Sequence, residues 1–94
     1  MFRLRDGRRV LPMLPPAVVV ELGLRKFKMV QTTLQDVELR YVPDAAGGVL
    51  SQEAAQRVVD QYVARGFTVR PIPLAHIPHG ASGKYRMHES LLAE

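Results

Sequence analysis

The segment His76-Ile77-Pro78-His79-Gly80-Ala81-Ser82-Gly83-Lys84-Tyr85-Arg86 concentrates the residue types able to act on a ligand. Its glycines let the backbone take φ > 0 and approach a ligand with no Cβ in the way. Lys84 supplies a point charge with three donors, suited to an oxygen that gains negative charge during a reaction. A Walker phosphate loop is excluded, because Pro78 stands where its first glycine belongs and Tyr85 where Ser or Thr must follow the lysine. His76, His79 and His88, with Glu89 nearby and no cysteine in the chain, do not make the four-ligand set of a closed zinc site. They read as solvated or satisfied histidines. The chain offers no Ser/His/Asp set and no paired carboxylates with which to act alone.

The preceding elements must position this loop. Phe2 to Arg5 and Arg8 to Leu11 flank Asp6-Gly7, which predicts a hairpin with a two-residue type I′ turn, ended by Pro12. Pro15-Pro16 opens a segment, 17–22, that could be a strand by its three valines or a helix by its proline start and Gly23 stop; helix is preferred. Lys26 to Thr33 and Asp36 to Val42 alternate, with Phe27 and Met29 against Lys28 and Val30, and Val37, Leu39 and Tyr41 against Glu38 and Arg40. Joined by Leu34-Gln35, they read as an antiparallel pair. Pro43 to Gly48 is a loop.

Ser51 to Arg65 has an N-cap, an acidic first turn at Glu53 and an apolar stripe of Ala55, Val58, Val59, Tyr62 and Val63. Arg65 and Gly66 are expected to close it. Phe67 to Leu74 is a strand whose Pro71 and Pro73 imply one unpaired side, and Met87 to Ala93 suggests a short terminal helix. The fold class is therefore α+β: an N-terminal β-hairpin followed by α-β-β-α-β, a small sheet covered by helices.

The 94 residues suffice for one domain with a modest core. Ten of the thirteen basic side chains are arginine and the net charge is +4, which favours an anionic partner without choosing its class. No cysteine is present, so disulfides and thiolate chemistry are excluded and a cytoplasmic location fits. The basic start followed by apolar Leu11 to Val20 superficially matches a signal peptide. Three prolines interrupt that run, no small-residue cleavage site follows, and it is too short to span a bilayer.

Ile77 to Arg86 resembles the closing motif of adenylate-forming enzymes, Pro-(polar)-Ser-Gly-Lys followed by a basic residue, and within them the phenylacetate–CoA ligase-like branch. Arg5 to Pro12 is similar to the hairpin that begins their C-terminal domain, and Phe27-Lys28-Met29-Val30-Gln31 to the aromatic-x-x-Val-Gln strand of that branch. The helix from Ser51 to Gly66, followed by the strand from Phe67 to Leu74, matches the order expected before the lysine loop. The resemblance favours helix after Pro16. It implies one small domain over residues 1–94: a hairpin next to the hinge (1–12), an αββαβ core (15–75) and the catalytic-lysine loop (76–86). In that family the domain is a lid on a larger N-terminal domain that holds ATP and the acid.

By resemblance, Lys84 is the lysine that contacts carboxylate and phosphate oxygens as the acyl-adenylate forms. Ser82 and Gly83 shape its loop on the substrate side. The lid then rotates and presents another face for thioester formation. The complete enzyme would use ATP, Mg and CoA with a carboxylic-acid substrate, and this chain alone would bind none of them. Its partner would be an N-terminal adenylate-forming domain, in cis or as a separate subunit. The nucleotide-binding domain is not among these residues, so the chain is expected to be a detached lid: a fragment, an excised piece or a separately encoded subunit. Alone it should be inactive.

The rival expectation is a small basic module recruiting RNA or an acidic protein through Arg3, Arg5, Arg8 and Arg9 or Arg25, Lys26 and Lys28. Phe27 and Tyr41 lack the arrangement of an RNA-stacking sheet, and solvated strand edges account for most of this charge. A third possibility is a degenerate interaction domain that keeps the fold without the activity. No membrane partner is expected.

Overall fold

The computed structural model describes residues 1–44, 48–77 and 88–92, with the side chains of His88 and Glu89 excepted. The chain begins with a hairpin of β1 (Phe2–Arg3) and β2 (Arg9–Val10). The order continues with α1 (Pro16–Glu21), β3 (Leu24–Gln31), β4 (Asp36–Pro43), α2 (Gln52–Tyr62), β5 (Thr68–Pro73) and β6 (His88–Ser90). The larger sheet runs β5-β4-β3-β6. Its central pair is antiparallel, as expected from the alternating pattern, and each outer strand lies parallel to its neighbour.

The sheet buries one face under both helices. Phe27 and Met29 on β3, Val37, Leu39 and Tyr41 on β4, and Val69 on β5 meet Ala55, Val58 and Val59 of α2 and Leu14 before α1. Each fully buried side chain of this size contributes about 1.5–3 kcal/mol. Leu24 joins the same core although it lies three residues before Phe27. A bulge between Leu24 and Lys26 supplies the extra residue that turns it inward. The opposite face is polar and carries Lys26, Lys28, Arg40 and Arg70 with Asp36 and Glu38. Arg40 pairs with Glu38 at 2.8 Å. Val30 falls on that face and is nevertheless fully buried, as is Ile77 beyond β5; neither belongs to the core under the helices.

The segment left open by periodicity is helical. Pro15 and Pro16 start α1, and Gly23, at φ 71°, stops it while its carbonyl accepts the Asp44 N–H at 2.8 Å. Ser51 caps α2 by accepting the Ala54 N–H at 3.1 Å.

Four expectations need correction. The hairpin turn is not type I′: Gly7 alone there has positive φ, 89°. Its N–H donates to the Leu4 carbonyl and the Leu4 N–H to the Arg8 carbonyl, so Arg5-Asp6-Gly7 forms a three-residue loop. Asp6 keeps ordinary backbone angles because its carboxylate accepts the Arg8 N–H. Secondly, α2 ends at Tyr62, so Arg65 and Gly66 lie in the connection to β5 instead of closing the helix. Thirdly, Tyr62 lies off the buried stripe, 38% exposed. Finally, the C-terminal segment is not a helix, since residues 88–90 form β6 against the outer side of β3. The exposed edge of β3 offers backbone partners that a one-turn helix could not match, and the Leu91 N–H donates to the Gln31 carbonyl at 2.8 Å.

Three glutamines join elements through their amides. Gln31, fully buried, accepts the Arg3 N–H at 2.9 Å and donates to the Arg3 carbonyl at 2.8 Å. Longer contacts of 3.4 Å reach the Leu34 carbonyl and the Ser90 hydroxyl. Gln56 accepts the Val69 N–H at 3.0 Å and donates to the Phe67 carbonyl at 2.7 Å. Gln52 donates to the Val69 carbonyl at 3.2 Å. Phe2 locks the hairpin down by meeting Phe67 edge to face, centroids 5.8 Å apart.

Gln31→Leu fills the same space yet strands both backbone groups of Arg3, and should cost about 2–4 kcal/mol in urea unfolding. Tyr41→Phe removes the buried hydroxyl that accepts the Leu50 N–H at 2.8 Å. It should cost about 1–2 kcal/mol in the same measurement.

Candidate functional site

Lys84, Ser82 and Gly83 lie outside the described residues, as do Pro78, His79, Gly80, Ala81, Tyr85 and Arg86. Both ends of their segment are placed. β5 leaves the sheet beside the last residues of β4, where Pro73 registers with Tyr41 and the Leu74 N–H donates to the Tyr41 carbonyl at 2.8 Å. His76 is exposed and Ile77 buried. The chain is next described in β6, which begins opposite Met29 on the other outer side of the sheet. Three strand spacings, about 15 Å, separate the outer strands. The fourteen residues between β5 and β6 could extend over more than about 40 Å. The lysine-bearing connection is therefore much longer than the span between the strands that anchor it.

A second concentration of charge forms at the end of the sheet where β3 turns into β4. The hairpin tip, that turn and the connection after α2 meet there around a cleft of about 210 Å³, lined by Leu4, Arg5, Asp6, Arg8, Leu34, Arg65, Gly66 and Phe67. Arg5 is held by a 2.8 Å hydrogen bond to the Gln35 amide oxygen. Arg8 donates its Nε to Asp6 at 2.6 Å. The hydrogen bond from the Arg8 backbone amide, with help from its guanidinium, holds the Asp6 carboxyl below its usual value. By residue type alone these arginines read as solvated edges and Arg65 as a helix-end cation. Nothing local to the sequence signals that residues 5 and 65 line one cleft.

The remaining expectations divide between the two sheet faces. Phe27 and Tyr41 are buried beneath the helices, so neither is available to stack a base. Among the described residues no three His, Cys, Asp or Glu side chains are grouped to hold a metal ion. Among the described residues, too, no helix is long and apolar enough to cross a membrane.

The lowered carboxyl of Asp6 gives its hairpin a pH dependence of definite sign. The folded value lies below the unfolded one, so the contribution is complete above the ordinary carboxylate range and is lost as pH falls through the folded value. Following the Asp6 side-chain carboxyl by NMR should give a titration below that of a free aspartate. Arg8→Gln should bring it part of the way back, because the backbone donor remains.

Comparison with known protein families, with characterised proteins and with solved structures finds no match to this chain.

Proposed function

We propose that this chain is the lysine-bearing C-terminal lid of an ATP-dependent acyl- or aryl-CoA ligase of the phenylacetate–CoA ligase-like branch. The observation that carries the reading is the setting of the Ser82-Gly83-Lys84 motif. It falls in a connection far longer than the distance between its anchoring strands, and it follows the element order that the motif's resemblance implies. Excess length is what a cation needs if it must reach a pocket on another polypeptide. Gln31 supports the reading further, since the Phe27-Lys28-Met29-Val30-Gln31 strand ends on the residue that ties the hairpin to the sheet.

In this role the Lys84 ammonium meets carboxylate and phosphate oxygens as the acyl-adenylate forms. Charge accumulates on those oxygens in the transition state, and a positioned cation in a water-poor cleft is worth about 3–4 kcal/mol there. Ser82 and Gly83 set the approach of the loop. ATP, Mg and CoA belong to the pocket of the N-terminal partner. Recruitment of RNA or an acidic protein is the weaker reading, because the aromatic side chains of the central strands are committed to the core.

The 94-residue chain alone should show no ATP–pyrophosphate exchange with any carboxylic acid. Joined to its N-terminal partner, Lys84→Ala should lower adenylation by about a hundredfold or more while largely sparing thioester formation from supplied acyl-adenylate. Equal loss in both half-reactions would remove Lys84 from this role.

A further inference from the structure

We propose that the cleft between the hairpin tip and the α2–β5 connection binds an organic phosphate monoester, with the phosphate on Arg5 and Arg65 and its apolar group on Leu4 and Leu34. The charge balance selects the ligand. Arg5, Arg8 and Arg65 with Asp6 leave the lining with a net charge of +2. Asp6 is already paired with Arg8, one carboxylate oxygen accepting the Arg8 backbone N–H and the other its Nε–H. The two charges that remain sit on Arg5 and Arg65. Arg5 spends one donor on a neutral amide, which orients the guanidinium without discharging it, and four N–H donors remain. Arg65 makes no hydrogen bond or ion pair among the described residues. A phosphate monoester above its second pKa, about 6, carries up to two negative charges and the oxygens that guanidinium forks match best. A carboxylate would leave one cation uncompensated.

Size and lining agree with that choice. At about 210 Å³ the cleft is smaller than the roughly 300–1,000 Å³ of sites for drug-sized ligands, so it suits a head group with one small substituent. Leu4 is half-buried and Leu34 is 39% exposed, which leaves an apolar wall beside the two cations. Phe67 underlies it and is fixed by Phe2, so the floor is rigid. The site lies at the end of the sheet opposite to the one where β5 leaves for the lysine segment. It therefore stands or falls independently of the role proposed for Lys84.

The test is an NMR titration of the 94-residue chain with phenyl phosphate, against benzoate as the monoanionic comparison. Saturable shifts are expected at the amides of Leu4, Leu34, Gly66 and Phe67, with tighter binding at pH 8 than at pH 5. Arg5→Gln and Arg65→Gln should each weaken binding about tenfold, the loss of one charge-assisted contact. Arg70→Gln removes the same charge from the polar sheet face and should leave affinity within about twofold. Equal weakening by Arg70→Gln, shifts centred on Lys26 and Lys28, or no saturation below about 10 mM would overturn the site. Benzoate binding as tightly as phenyl phosphate would overturn the assignment to phosphate.

Discussion

The pairing of one side-chain amide with one backbone unit joins the N-terminal hairpin to the main sheet of this domain. Gln31 presents to Arg3 the donor and acceptor that a neighbouring strand would present, at 2.8 and 2.9 Å, from a position with no solvent exposure. A two-stranded ribbon is marginal by itself in water. Through Gln31 the hairpin becomes an extension of the sheet, and Phe2 can be buried in the core instead of lying on the surface. The same amide receives the Ser90 hydroxyl, so the N-terminal ribbon and the C-terminal strand meet on one residue. Because the amide is buried, all its polar groups must be satisfied at once, which fixes the relative positions of three segments. Gln56 repeats the device from α2, taking the Val69 N–H and the Phe67 carbonyl.

This arrangement explains which parts of the fold were legible in the sequence. Alternation in β4 and the Ser51 N-cap of α2 depend on neighbours a few residues away, and both are read correctly from residue types. β3 is harder, because the bulge before Lys26 and the burial of Val30 both break a strict two-residue period. Asp6-Gly7 announces a turn, but its type depends on whether the aspartate side chain holds the Arg8 amide. Residues 88–90 carry no strong strand signal of their own. They pair because β3 leaves an outer side open, which is a property of the assembled sheet.

The candidate sites divide along the same line. A lysine in a glycine-containing loop after a strand is visible as a local pattern. The arginine-lined cleft is invisible at that level, since Arg5 and Arg65 come together only when the hairpin and α2 have docked on one end of the sheet. Gln31 falls between these cases. Its place in an alternating strand is evident, whereas its function as a buried connector is not.

β5 forms one border of the sheet, with Pro71 and Pro73 facing Leu39 and Tyr41 in register. Neither proline has an amide hydrogen to offer, and upstream the glutamines of α2 occupy the Val69 N–H and the Phe67 and Val69 carbonyls. Much of that border is thereby denied to an incoming strand from a second molecule, so the domain resists fibrillar stacking there. A contact made along that border must then run through side chains, where single substitutions can retune it without disturbing the sheet.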